Sequence, residues 1–224
     1  MTSSIEIFKA IDLAHKQGDF KFDEAANTLS DLAYVIMPFN QQAREFRLLI
    51  STIKKTLDST QGGLKLYNLV DAVLRLKLNT FDEAIRQKID NGDYSRTSKD
   101  ISVLINFSCQ KASEHQEGSM GRELWLKMIS ERLLNELRFL SLNDLQAEQI
   151  SYLSEAFSIL GTYHDQADEE NSQLSEQHIK LVTDFIPKLI DHTQIELYRF
   201  RVSDLVKLLH GFEKLWDSGL LPDK

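Results

Sequence analysis

The chain has 224 residues, of which 42% are hydrophobic and 27% are charged, and its formal net charge is −8. This composition is ordinary for a globular protein with a substantial core. The acidic balance argues against free-standing nucleic-acid binding unless the basic residues gather on one face.

Cys109 is the only cysteine, which excludes an intramolecular disulfide and a cysteine-based zinc site and favours an intracellular, reducing compartment. No apolar run reaches the roughly 18 residues of a membrane span, so no membrane insertion is predicted. The first 25 residues mix acidic and basic side chains without an apolar core, so neither a secretory signal nor a cleavable organellar presequence is evident.

The spacing of apolar residues predicts an all-α protein. The chain contains only 9 Gly and 3 Pro, and alternation of β-branched residues is nearly absent. In the first half, Gly62 and Gly63 form a firm break between helices. The helices predicted there cover 4–16, 23–36, 40–57, 64–78 and 81–89.

In the second half, Ser98 is the expected cap of a helix that extends to about Ala112. Next come a long amphipathic helix over 124–140 and a helix that starts near Asn143 and stops at Gly161. The last two helices cover about 175–190, with Pro187 inside, and about 202–216.

A four-residue pattern recurs along the chain: an aliphatic residue, Ser, any residue, then Leu. Its copies begin at residues 29, 101, 150 and 202. The irregular intervals are compatible with helix pairs that carry loop insertions, so the repeat predicts an α-solenoid of stacked antiparallel helix pairs. We expect N-terminal helices over 1–60 and a helical-repeat region over 61–224, either as one continuous domain or as two bundles joined near 116–121.

Three stretches around the copies have a further likeness: ISYLSEAFSILG at 150–161, DISVLINFSCQK at 100–111 and VSDLVKLLHGFEKL at 202–215. They resemble the helical repeats of the organellar heptatricopeptide and octotricopeptide families, including those of proteins with a RAP domain, although no RAP module is recognisable in this chain. The resemblance implies an organellar, mostly mitochondrial, protein that either binds RNA or serves as a scaffold in a large assembly.

The sequence offers no catalytic or metal-binding constellation. None of the six histidines has another histidine within four residues, and no phosphate-binding glycine loop or nucleophile elbow is present. The motif serines, Ser30, Ser102, Ser151 and Ser203, are expected to cap or bond the preceding helical turn, the alternative being a shared ligand-facing surface. We therefore predict neither enzymatic activity nor a cofactor.

Three functional hypotheses remain. The first is a non-enzymatic scaffold subunit of a larger, mitochondrial complex, with Trp216, Leu220 and Leu221 as partner contacts. The second is an RNA-binding repeat protein for organellar transcripts or ribosomal RNA, whose candidate contacts are Arg199, Arg201, Lys207 and Lys214. The third is a cytosolic adaptor that binds peptide helices.

Overall fold

The computed structural model describes residues 4–17, 21–35, 39–60, 62–166, 176–217 and 219. Over these residues the protein is all-helical, as the sequence predicts, and the only β-type pairing is an isolated parallel bridge between Leu64 and Tyr94. The α-helices of the described part are α1 Ser4–Gln17, α2 Phe22–Ala33, α3 Arg44–Ser59, α4 Tyr67–Leu76, α5 Asp82–Asn91, α6 Ser98–Ser113, α7 Met120–Met128, α8 Ala147–Gln166, α9 Glu176–Ile195 and α10 Val202–Asp217. Within the described residues, no helix is long and apolar enough to cross a membrane.

The chain divides into two compact units, Met1–Ser95 and Arg96–Lys224. The sequence suggests a different division, into N-terminal helices over 1–60 and a helical-repeat region over 61–224. That division separates repeats from other helices, not compact units, and it stays a prediction.

In the first unit, α2 packs against α1, α3 and α4. Its buried residues lie on one face, in the helical spacing that the sequence shows. The side chain of Lys88, in α5, donates to the carbonyl oxygen of Thr60 at 2.6 Å, directly after α3. A cation at this point satisfies a carbonyl at the helix C-terminus and ties the end of α5 to the end of α3.

In the second unit, α8 packs between α6 and α10. Both α6 and α8 are buried over most of their circumference, which explains why their apolar residues are not confined to one stripe. α9 packs against a three-ten helix, Leu134–Phe139, and also contacts α8. The second unit therefore has its core around α8.

α8 carries the copy of the four-residue pattern that begins at residue 150, and it is longer than predicted. α8 starts at Ala147 rather than near Asn143 and continues through Gly161 to Gln166. Gly161 is buried within the helix and does not end it. Tertiary packing of a small residue against its neighbours outweighs the roughly 1 kcal/mol that glycine costs in a helix interior.

The predicted long helix over 124–140 is a composite. Its first part is α7, which is followed by a π-helical turn, Ile129–Leu133, and then by the three-ten helix Leu134–Phe139. A change of helical type turns the side chains relative to a regular α-helix, so the wide apolar side read from the sequence serves contacts with both α6 and α9.

Candidate protein-interaction surface

The last helix of the second unit, α10, has one face that is sealed against α8. The buried residues of this face are Asp204, Leu208, Gly211 and Leu215, at helical spacing. Among them, Leu215 is completely inaccessible to solvent. This face fixes α10 to the unit.

Two serines of α8 determine how closely α10 approaches. The hydroxyl of Ser151 lies 3.0 Å from the carbonyl oxygens of both Asp204 and Ala147 and shares its proton between them. The hydroxyl of Ser154 donates to the carbonyl oxygen of Leu208 at 3.2 Å. The lack of a side chain at Gly211 makes room for Ser154, because a β-carbon there would lie 2.9 Å from the serine's backbone carbonyl carbon. Hydrogen bonds and a steric fit together fix the rotation of α10 about its own axis.

That rotation directs a second apolar stripe away from α8. Four apolar residues are exposed there: Val202 (78%), Val206 (62%), Leu209 (65%) and Trp216 (59%). Glu213 lies on the same side of the helix, between Leu209 and Trp216. We call these five residues the outer stripe. Their successive spacings are four, three, four and three residues, which places them on one side of a helix.

Apolar exposure is concentrated in this part of the molecule. Thirteen large apolar residues are exposed within the described ranges, and seven of them lie between Ile195 and Trp216. Besides the four apolar members of the outer stripe, these are Ile195, Leu197 and Tyr198. Four exposed apolar residues on one side of a helix are typical of a protein-interaction site, whereas single exposed apolar residues are normal.

The polar side of α10 carries Lys207, His210 and Lys214. The Lys207 ammonium lies 5.3 Å from the ring centroid of Tyr152 in α8, so it leans toward α8 rather than toward the outer stripe. His210 Nδ1 lies 3.5 Å from a carboxylate oxygen of Glu213, and both side chains are largely exposed. Polar side chains therefore lie along one side of the outer stripe.

The comparisons with known proteins were negative. No family model, curated protein or solved structure matches this chain. The surface chemistry of α10 and its surroundings therefore carries the functional argument.

The four predicted RNA-contact residues lie at two different places in the structure. Arg199 and Arg201 line a cleft of about 300 Å³ at the start of α8. The guanidinium of Arg199 donates to Glu196 at 2.9 Å, and this hydrogen bond lowers the pKa of the Glu196 carboxyl. The other residues that line the cleft are Gln146, Ala147, Glu148 and Asp204.

Two carboxylates thus share the cleft with the two arginines, which balances its charge. Lys207 and Lys214 lie instead along the polar side of α10. The structure therefore brings the two arginines together and sets the two lysines apart from them on a different element.

Of the predicted partner contacts, Trp216 is exposed on the outer stripe. Leu220 and Leu221 lie outside the described residues. The sequence alone does not identify Val202, Val206 and Leu209 as surface residues, although all three are exposed. The sequence does contain a sign of this second surface. α10 has apolar residues on two sides, whereas a helix that packs on one neighbour needs them on only one.

A second cleft has a volume of about 220 Å³ and is lined by an ion pair and apolar side chains. Arg96 and Glu136 form an ion pair across it with a separation of 3.4 Å, and Phe139 is 82% exposed beside it. The remaining lining residues are Ser98, Ile101 and Leu140. Among the residues the structure describes, no cluster of His, Cys, Asp and Glu could hold a metal ion.

Two of the four motif serines bond the preceding turn of their own helix. Ser102 and Ser151 both stand fifth in their helices and are buried, and their hydroxyls donate to Lys99 and Ala147 carbonyl oxygens in the preceding turn. This confirms the predicted structural role for these two. Ser203, by contrast, is exposed in the first turn of α10, so the four serines do not form one surface.

Proposed function

We propose that this chain is a non-enzymatic helical-repeat scaffold subunit of a larger assembly, and that the outer stripe of α10 is a surface through which it holds a neighbouring protein. The observation that carries the proposal is that α10 has two apolar faces and that the rest of the described chain covers one of them, on α8. Leaving the four apolar side chains of the outer stripe in water is unfavourable by about 25 cal/mol per Å² of apolar surface. A protein that covers them recovers this free energy.

The packing of the second unit supports an α-solenoid as the form of the scaffold. α8 contacts α6 and α10, while α9 contacts α8 and the three-ten helix Leu134–Phe139. Contacts between helices two apart in the chain, such as those of α8 with α6 and α10, are expected where helix pairs stack side by side.

An RNA-binding function remains the alternative, and a mitochondrial location is proposed from the family resemblance alone. Both can be tested in one experiment: affinity purification of the tagged chain from fractionated source cells, with and without ribonuclease, followed by mass spectrometry. A scaffold is expected to yield a stoichiometric set of proteins, which can include untagged copies of the chain, in the mitochondrial fraction and with ribonuclease present.

A variant pair connects that result to the outer stripe. Leu209→Ser places a polar side chain in the middle of the stripe, whereas Leu13→Ser makes the same change at a leucine of α1 that is 58% exposed. We expect Leu209→Ser to lose the partners and Leu13→Ser to keep them. Partners that disappear on ribonuclease treatment would support RNA binding instead, and partners that survive Leu209→Ser would show that another surface is used.

A further inference from the structure

We propose that the protein on the outer stripe is a second copy of this chain, with the two α10 helices packed antiparallel around a two-fold axis. This inference rests on the proposed function, since it names the partner of the same surface. The spacing of the stripe, the sizes of its side chains and the charges at its two ends support it.

The spacing fits another α-helix. Val202, Leu209 and Trp216 are seven residues apart in succession, and Val206 and Glu213 form a second series with the same period. An average of 3.5 residues between successive members is the repeat with which one helix packs along another, each side chain filling a hole on the facing helix.

The sizes of the side chains make the stripe complementary to itself when it is turned around. A two-fold interface needs one patch that matches its own reversed copy. In an antiparallel pair, the large ring of Trp216 at one end of α10 meets the partner's α10 near its small Val202 end, while Leu209 and Val206 lie near the axis. Large side chains against small ones allow interdigitation without voids.

The charges favour the antiparallel direction over the parallel one. Arg201 directly precedes α10, whereas Asp217 is its last residue. With Trp216 opposite the partner's Val202, antiparallel packing sets Asp217 of one copy beside Arg201 of the other, where opposite charges attract. Parallel packing would set Glu213 against its own copy and would align the two helix dipoles in the same direction.

Sedimentation equilibrium of the purified full chain tests the proposal, with the Leu209→Ser and Leu13→Ser variants run beside it. We expect twice the chain mass for the unaltered protein and for Leu13→Ser. For Leu209→Ser we expect a dissociation constant raised at least about tenfold, because a central apolar contact of the interface is lost. Circular dichroism of each variant checks that the helices are retained.

A charge exchange tests the orientation. Arg201→Glu and Asp217→Arg should each weaken the dimer several-fold, and the double variant should regain most of the loss, because the attractive pair is restored with its signs reversed. About 1 M salt, at which the Debye length is roughly 3 Å, should reduce both single effects.

A chain that stays monomeric would overturn the self-association while the cell purification continues to test the scaffold function separately. A dimer that Leu209→Ser leaves intact would also overturn the proposal, as would open-ended polymers, which indicate head-to-tail stacking. Single charge variants that are not rescued by the exchange would overturn the antiparallel arrangement.

Discussion

The hydroxyl of Ser154 occupies the space that a side chain at Gly211 would need, and it donates a hydrogen bond to the Leu208 carbonyl oxygen one turn earlier in α10. α8 and α10 therefore meet at a point where a glycine on one helix faces a small hydroxyl residue on the other. This contact sets the distance between the two helices and, with it, the direction of the outer stripe.

Gly211→Ala should destabilise the protein even though alanine is the better helix former. The new β-carbon would meet the Ser154 hydroxyl, which can rotate, but also its backbone carbonyl carbon at 2.9 Å and oxygen at 3.0 Å, which cannot. We expect a loss of about 1–3 kcal/mol from overpacking, which exceeds the gain in helix propensity of about 1 kcal/mol. Urea unfolding followed by circular dichroism measures the difference.

Gly121→Ala is the matched control for that experiment. Gly121 also lies within a helix, α7, but its added β-carbon would meet only the side chain of the exposed His115, at 2.7 Å, which can swing away. This variant should be neutral or slightly more stable. Equal losses in the two glycine variants would mean that the contact with Ser154 is not what makes Gly211 special.

Leu153→Ala should be strongly destabilising because Leu153 is fully buried in α8, at the centre of the second unit. Loss of the buried methyl groups and the cavity left behind predict about 2–5 kcal/mol. Leu13→Ala, at an exposed position of α1, should stay within about 0.5 kcal/mol. A change below about 1 kcal/mol at Leu153 would contradict the central position assigned to α8.

The all-helical fold could be predicted because helix periodicity is a local property of the sequence. α1 and α10 differ by only a residue or two from their predicted ranges, and the break at Gly62 and Gly63 is present, with both glycines at positive φ. The helix caps were less predictable. Thr97 caps α6, its side chain accepting from the Asp100 amide, where the sequence favoured the neighbouring Ser98.

The interaction surface could be predicted only in part, because burial depends on contacts between distant residues. Ser154 and Leu208 are 54 positions apart, so no local sequence pattern predicts their hydrogen bond. The sequence does not distinguish Leu208 from Leu209, because both are leucines in the same apolar stretch. In the structure, Leu208 is buried against α8 and Leu209 is exposed. For the same reason the sequence predicts a helix end at Gly161, whereas α8 continues to Gln166.

Cys109 should be almost unreactive in the native protein. Its thiol is fully buried in α6, and burial raises its pKa far above the usual range because the thiolate would lose its hydration. We expect Ellman's reagent to label it at the rate of unfolding in native buffer and at once in concentrated urea. Rapid labelling without urea would show that α6 opens locally.

The phenol of Tyr163 should titrate later than an ordinary tyrosine. Burial raises its pKa to about 12, although the Arg122 guanidinium, 4.2 Å from the ring centroid, acts in the opposite direction. The folded protein therefore holds this proton more tightly than the unfolded chain, whose tyrosines titrate near pH 10. The resulting stabilisation is complete below about pH 10 and is lost as the pH rises toward about 12.

Tyr163→Phe separates this titration from the others. Among the described residues the Tyr163 hydroxyl has no hydrogen-bond partner, so replacing it with hydrogen should leave the stability at pH 7 unchanged or slightly increased. Alkaline difference absorbance at the phenolate band should lose its last-titrating component in the variant. The alkaline fall in stability should also become shallower, because phenylalanine has no proton to release. If the variant is instead destabilised at pH 7, the hydroxyl has a partner in solution, and the raised pKa would need a different cause.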